Sequence, residues 1–125
     1  MKRLLIADDE PHIIRVMKLA LEKNGYEVKT APNGQVAFEL VMANQPDVLI
    51  TDIQMPKMTG EELCKKINSE ICDRKFMIFV LSSRAEIEHR DWVKDMENIA
   101  FIEKPASMIR LVSRINDYFD RVGIN

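Results

Sequence analysis

The sequence contains no apolar run that approaches the roughly 20 residues needed to span a bilayer, and its N-terminus lacks a hydrophobic region of signal-peptide length. It also lacks an excess of one charge, because 18 Lys and Arg residues face 20 Asp and Glu residues for a net charge of −2. No broad basic field is present that would bind nucleic acid or an anionic membrane. We expect a cytoplasmic protein that binds neither a membrane nor, directly, nucleic acid.

Further absences exclude several common kinds of site. The two cysteines, Cys64 and Cys72, form neither a CxxC pair nor a metal-ligand spacing with histidine, which favours reduced structural thiols over a zinc site or a disulfide. Neither a GxGxxG motif nor a P-loop is present, so a nucleotide-binding fold is disfavoured. Internal repeats and linkers are absent, and 125 residues suit one domain, predicted to span residues 1–125.

Apolar runs of strand length alternate with segments of helical periodicity along the whole chain. The pattern predicts five strands, at 3–7, 26–30, 48–51, 76–81 and 100–103. It also predicts five helices, at 11–23, 34–43, 61–67, 84–98 and 108–122. The segment 84–98 has the least regular apolar face of these helices, whereas 108–122 has the clearest.

Strands that alternate with helices form a parallel sheet covered by helices on both faces. The second strand alternates Tyr26, Val28 and Thr30 with Glu27 and Lys29, which is typical of an edge strand with one wet face. The first, third and fourth strands are apolar apart from Arg3 and Thr51, and they therefore belong inside the sheet. We predict a doubly wound α/β fold with a five-stranded parallel sheet in the order 2-1-3-4-5 and five helices on its two faces.

Charged side chains follow three of the predicted strands. Asp8 and Asp9 follow the first strand, Asp52 follows the apolar part of the third, and Lys104 follows the fifth. The carboxyl ends of parallel strands share one edge, and in this order the crevice opens beside strands one and three. Carboxylates that converge there repel one another unless a cation intervenes, and a hard divalent ion prefers their oxygens. The loop after Asp52 is expected to be rigid, because Pro56 fixes φ and Gly60 permits a backbone conformation closed to other residues.

In combination, these residues resemble the receiver domains of two-component response regulators. The resemblance covers Lys2 to about Val122, in the family's order and spacing. The motifs that carry it are Asp8-Asp9, Asp52 with its Met55-Pro56-x-Met58-x-Gly60 continuation, Ser82 at the end of the fourth strand, and Lys104-Pro105. The resemblance implies a flavodoxin-like fold and a phosphorelay function in signal transduction.

The resemblance also implies a role for each of these residues. Asp52 would accept a phosphoryl group from the histidine of a sensor kinase or of a phosphotransfer protein. Mg²⁺ would be held by Asp9 and Asp52, with Asp8 acting through water and Gln54 contributing its backbone carbonyl. Lys104 and Ser82 would contact phosphate oxygens. Such a protein is not an enzyme with a separate substrate, although it takes part in its own phosphoryl transfer and dephosphorylation.

The output implied by the resemblance is a change of surface. Ser82 and Phe101 would act as switch residues that alter the fourth helix, fifth strand and fifth helix, and a downstream effector protein or a second copy of the chain would read the change. Three departures from the family pattern bear on that surface. Phe101 lacks a phenolic hydroxyl, Ala106 replaces an aromatic residue often found after Lys-Pro, and Glu97 stands where glycine is common.

Several residues near these motifs are assigned structural roles instead. Glu10 is expected to be a first-turn helix acid and not a metal ligand. His12 and His89 are expected at the surface, outside the site. Met55 and Met58 are expected to pack in the loop, because a hard ion does not favour sulfur.

Two alternatives remain open. A metal-dependent phosphatase with an aspartyl nucleophile usually carries DxD after its first strand, whereas this first strand ends Asp8-Asp9-Glu10. The other alternative is a binding module that has kept the receiver shape but responds to protein contact instead of phosphate. The presence of Asp9, Asp52, Ser82 and Lys104 counts against that module.

Overall fold

The computed structural model describes residues 1–105 and 107–123. Strands and helices alternate through this part of the chain. They are β1 Arg3–Ala7, α1 Pro11–Lys23, β2 Glu27–Ala31, α2 Gly34–Ala43, β3 Val48–Asp52, α3 Gly60–Glu70, β4 Met77–Ser82, α4 Arg84–Glu88, β5 Ile99–Glu103 and α5 Met108–Arg121. A 3₁₀ helix, Arg90–Val93, follows α4. Ala106, one of the departures from the family pattern, lies outside the described residues.

The five strands form one parallel sheet in the order β2-β1-β3-β4-β5, which confirms the predicted fold class and strand order. The inner strand β3 is buried at all five of its positions, including the polar Thr51 and Asp52 at its end. The edge strand β2 alternates buried and exposed positions over its first residues, as its sequence predicts. Hydrophobic periodicity therefore identifies β2 as an edge strand and β1, β3 and β4 as inner strands, whereas the other edge strand, β5, has no such alternation.

Two apolar clusters cover the two faces of the sheet. On one face α1 and α5 pack against the strands through residues such as Met17, Leu21, Leu111, Ile115 and Phe119. On the other face α2 and α3 contribute Ala37, Val41, Leu63, Cys64 and Ile67. The helices thus cover both faces along β1, β3 and β4, whereas three of the five residues of β5 are only half-buried.

Local signals set where the helices begin. Pro11 occupies the first turn of α1, where its missing N–H would have no partner in any case. The Asn33 side chain accepts the Val36 N–H at 2.9 Å and starts α2. The α3 helix starts with a reciprocal capping box between Thr59 and Glu62.

The prediction of one continuous helix over 84–98 is wrong. The α4 helix spans five residues, none of them buried, and Asn98 adopts a left-handed φ of 55° before β5. The segment has no apolar stripe that could hold a long helix against the sheet, because charged and polar residues interrupt it. Trp92 and Met96 nevertheless pack against the second cluster.

The cysteines are free, as the sequence predicts. Cys64 is buried in α3, and burial raises the pKa of its thiol to about 12, whereas Cys72 is exposed. Within the described ranges, no helix combines the length and apolar character that crossing a membrane requires.

Candidate functional site at the carboxyl edge of the sheet

The strand register brings the predicted site residues to one edge. Ala7 pairs with Thr51, Asp52 pairs with Leu81, and Ser82 pairs with Glu103. Asp8, Asp52, Ser82 and Lys104 therefore end or directly follow β1, β3, β4 and β5 at the same level. Parallel pairing is what places residues that lie far apart in the sequence side by side here.

Asp52 and Lys104 form the central contact of the site. Lys104 Nζ lies 2.5 Å from Asp52 Oδ1, and the Ile53 N–H donates to the same oxygen at 2.8 Å. The Asp52 side chain is only 4% exposed, so its carboxylate is poorly solvated and the positive charge of Lys104 compensates its negative charge. Burial alone would lower the pKa of Lys104, but the hydrogen bond and charge of Asp52, with the charges of Asp8 and Glu86, outweigh burial and raise it.

A group of three carboxylates lies beside this pair. One ligand oxygen from each of Asp8, Asp9 and Glu10 falls within 4.8 Å of the others. Asp8 is buried, and its Oδ1 accepts the Glu10 N–H at 2.9 Å. Desolvation raises the pKa of Asp8 despite that hydrogen bond, and the charge of Asp52 raises it further. A buried Asp8 whose ionisation is disfavoured, beside the exposed Asp9 and Glu10, fits a hard divalent cation such as Mg²⁺.

Glu10 differs from its predicted role. It lies immediately before the first helical residue with extended backbone angles, and not within the first turn of α1. Its carboxylate joins those of Asp8 and Asp9. The sequence signal for this cluster was the run of three consecutive acids. These residues connect β1 to α1, and the tight connection brings their carboxylates together.

Ser82 is present at this edge with an unusual property. It is fully buried at the end of β4, and its Oγ has no hydrogen-bond partner among the described residues. Its carbonyl accepts the Lys104 N–H at 2.8 Å, which fixes the backbone of Ser82 beside the lysine. A buried hydroxyl without a partner is costly in one state and becomes favourable when an acceptor arrives.

The loop after Asp52 is held closely against the strand that it leaves. The Gly60 N–H donates to the Ile53 carbonyl at 2.8 Å, and a Cβ at Gly60 would lie 2.1 Å from the Asp52 carbonyl oxygen. The expectation that Gly60 is needed for its backbone dihedral is wrong, because Lys57 is the residue with positive φ in this loop. Gly60 is needed because two backbone segments approach each other here. Met55 and Met58 pack against the apolar cluster, as predicted.

Phe101 is half-buried in β5 and packs against Trp92. The two ring centroids are 5.9 Å apart with the planes at 81°, which is an edge-to-face contact. The sequence analysis missed Trp92, because it lies in the segment whose helical pattern was irregular. His12 and His89 are exposed, as predicted.

Glu86 is a second residue that the sequence analysis missed. Its carboxylate accepts hydrogen bonds from the Ser83 N–H and from the Gln54 side chain, and so connects the start of α4 to the loop after Asp52. The spacing Ser83-x-x-Glu86 is a capping-box motif that could have located the start of α4. The bond to Gln54 has no sequence signal, because it depends on how the two loops approach each other.

Comparison with known proteins is consistent across sequence and structure. A family model described as the response regulator receiver domain matches residues 4–116. The chain is 32% identical over 125 residues to the alkaline phosphatase synthesis transcriptional regulatory protein PhoP of Bacillus subtilis, which covers 98% of this chain and 50% of that protein. The chain therefore spans about half the length of the curated relatives it matches.

Solved structures give the same result. A response regulator receiver domain protein from Clostridium thermocellum superimposes with a TM-score of 0.84 at 25% identity, covering 99% of this chain and 98% of that one. TrrA from Thermotoga maritima, solved in complex with Mg²⁺ and BeF, superimposes with a TM-score of 0.80 at 28% identity, covering 94% and 98%. Both likenesses extend over nearly the whole fold.

Proposed function

Because this chain belongs to the response regulator receiver domain family, we propose that it accepts a phosphoryl group on Asp52 from the histidine of a sensor kinase or phosphotransfer protein. The observation that carries this proposal is the Asp52–Lys104 contact of 2.5 Å at an edge that also holds the acids after β1 and the unpartnered Ser82 hydroxyl. These parts match what phosphoryl transfer requires, namely an oxygen nucleophile and positive charge that neutralises the equatorial oxygens.

In the proposed transfer, an Asp52 oxygen attacks phosphorus as the P–N bond to the partner imidazole breaks. The imidazole leaves with the electron pair of that bond and takes up a proton, and Asp52 becomes an acyl phosphate. Both described contacts of the carboxylate fall on Oδ1, so we assign the attack to Oδ2. Lys104 then turns from the carboxylate to a phosphoryl oxygen, and Ser82 Oγ donates to another.

The acids after β1 suit a hard divalent ion. Mg²⁺ bound there would neutralise charge that develops on the phosphoryl oxygens. We propose Asp9 and Asp52 as direct ligands, Asp8 as a ligand through water, and the Gln54 backbone carbonyl as a further ligand. Residues 1–125 would act as one receiver domain, a regulator with no separate substrate that contributes to its own phosphoryl transfer and dephosphorylation.

The proposed output is a change in the surface formed by α4, β5 and α5. When Ser82 moves toward the phosphoryl group, it leaves space into which Phe101 turns. Phe101 has no hydroxyl that must stay hydrated, so burial of its ring costs less than burial of a tyrosine without a partner. A downstream effector protein, or a second copy of the chain, would bind the changed surface.

Acetyl phosphate tests this function directly. Intact-mass measurement should show one added phosphoryl group in the presence of Mg²⁺ and none after chelation. Asp52→Asn should gain none in either condition. An unmodified native chain with Mg²⁺ present would favour the alternative of a receiver-shaped binding module.

A further inference from the structure

The Glu86 carboxylate connects the two segments on either side of the candidate site. Glu86 Oε1 accepts the Ser83 N–H at 2.8 Å, while Ser83 Oγ accepts the Glu86 N–H at 3.2 Å, and together they cap α4. Glu86 Oε2 accepts the Gln54 Nε2 at 3.1 Å. One side chain therefore links the residue after Ser82 to the residue two positions after Asp52.

The charges of Glu86 and Lys104 also influence each other's pKa. Burial would raise the pKa of Glu86, but the hydrogen bonds from Ser83 and Gln54, together with the charge of Lys104, outweigh burial and hold that pKa below its usual range. The same interaction is among the causes that raise the pKa of Lys104. The Gln54 amide thus bonds directly to Glu86, whereas the Lys104 ammonium acts on Glu86 only through its charge.

We propose that Glu86 is a positioning residue that opposes phosphorylation by holding Gln54 and Ser83 in the unphosphorylated arrangement. The inference rests on Asp52 being the phosphoacceptor. A phosphoryl group there offers new acceptor oxygens to the Gln54 amide and to Lys104, and its charge repels the Glu86 carboxylate. The bond between Gln54 and Glu86 then exists in only one of two states. A contact made in one state shifts the population toward that state.

Glu86→Gln weakens the hydrogen bond between Gln54 and Glu86, here called the bridge, and keeps the helix cap. Glutamine keeps one side-chain oxygen, which can still accept the Ser83 N–H, and it is a favourable residue in a capping box. The Gln54 amide can turn so that its oxygen accepts from the new amide nitrogen, but that bond is between neutral groups and loses the charge assistance that the carboxylate gives. Glu62→Gln is the matched control, because Glu62 caps α3 with the same geometry at 2.9 and 3.2 Å and bonds only to Thr59 among the described hydrogen bonds.

The first measurement is the affinity for beryllofluoride at saturating Mg²⁺. Glu86→Gln should bind about fivefold more tightly than native protein, the effect of one modest hydrogen bond, and Glu62→Gln should bind as native protein does. In a Gln54→Ala background, most of the gain from Glu86→Gln should disappear. An equal gain in affinity in the native and Gln54→Ala backgrounds would mean that Glu86 acts through its charge alone. That result would overturn the proposed role of the bond between Glu86 and Gln54.

The second measurement needs neither metal nor phosphoryl analogue. Amide hydrogen exchange of the free protein should be about fivefold faster at 54–58 in Glu86→Gln than in native protein, with no change in Glu62→Gln. Unchanged exchange at 54–58 would overturn the proposal while leaving Asp52 as the acceptor. Failure of native protein to bind beryllofluoride would instead overturn the proposed function and this inference together.

Discussion

Lys104 Nζ lies 2.5 Å from Asp52 Oδ1, so the two residues form one charge-compensated pair at the carboxyl edge of the sheet. The acids after β1 lie at the same edge, with one carboxylate oxygen from each of Asp8, Asp9 and Glu10 within 4.8 Å of the others. In the proposed site Lys104 compensates the charge of Asp52 and Asp9 binds the metal ion, so substitution of Asp9 and of Lys104 can distinguish the two roles.

Asp9→Ala should lower the affinity for Mg²⁺ at least about tenfold, because hard cations depend on charged oxygen ligands. Lys104→Ala should leave Mg²⁺ affinity unchanged or raise it, since it removes a competing cation. Isothermal titration of the two variants measures both effects. Asp73→Ala, which removes an exposed carboxylate from the loop before β4, is the control for net charge. Equal affinity in native protein and Asp9→Ala would remove Asp9 from the metal site.

Asp8→Asn should stabilise the metal-free protein by about 1 kcal/mol at pH 7, the size of a typical single-substitution effect. Burial and Asp52 raise the folded-state pKa of Asp8, so its ionisation costs stability as pH rises through that value. The gain should vanish below about pH 4, near the usual pKa of aspartate, where the folded and unfolded carboxyls are both protonated. Urea unfolding at several pH values measures it, with exposed Asp9→Asn as the comparison. A gain that persists at low pH would contradict this origin.

Gly60→Ala should destabilise the protein by about 3 kcal/mol, because its Cβ would overlap the Asp52 backbone carbonyl, which has little freedom to move. Gly25→Ala is the control, since a Cβ there meets nothing within 4 Å and only its φ of 90° is unfavourable. That strain should cost about 1 kcal/mol. Denaturant unfolding compares the two variants, and equal losses would show that contact with Asp52 does not require glycine at position 60.

The single tryptophan reports on Phe101, because the two rings are in edge-to-face contact with centroids 5.9 Å apart. Saturation with Mg²⁺ and beryllofluoride should shift Trp92 emission as Phe101 turns away, and Phe101→Ala should abolish the shift. Amide exchange should change over residues 84–105 in native protein. Changes confined to the loop after Asp52, or a shift retained in Phe101→Ala, would contradict the proposed switch.

The sequence predicts the fold well where periodicity is regular. The apolar β3 and the alternating β2 take their predicted places in the sheet, and the stripe of α5 packs as expected. The prediction from sequence fails at 84–98. There, polar residues interrupt the apolar face, and the tertiary contacts of Trp92 and Met96 determine the path of the chain. Arg74 shows the same limit. It lies in a charged loop segment yet is buried, because its guanidinium donates to the carbonyls of Phe76, Glu97 and Asn98.

The sequence was sufficient to predict which residues lie together at the carboxyl edge of the sheet. Motif spacing and strand ends locate Asp8, Asp52, Ser82 and Lys104, because parallel pairing aligns strand ends. The bridge from Glu86 to Gln54 was not predictable, since it depends on the approach of two loops. Gly60 was singled out for the wrong reason, because sequence does not reveal how closely two backbone segments pass.

The central claim is that Asp52 itself carries the phosphoryl group. Acyl phosphates react with hydroxylamine to give hydroxamates, whereas phosphate esters of serine and threonine do not. Protein treated with acetyl phosphate and Mg²⁺, then with hydroxylamine, should yield by peptide mapping a single hydroxamate at Asp52, and none without Mg²⁺. A hydroxamate at Asp8 or Asp9, or a phosphate ester at Ser82 that resists hydroxylamine, would contradict the account.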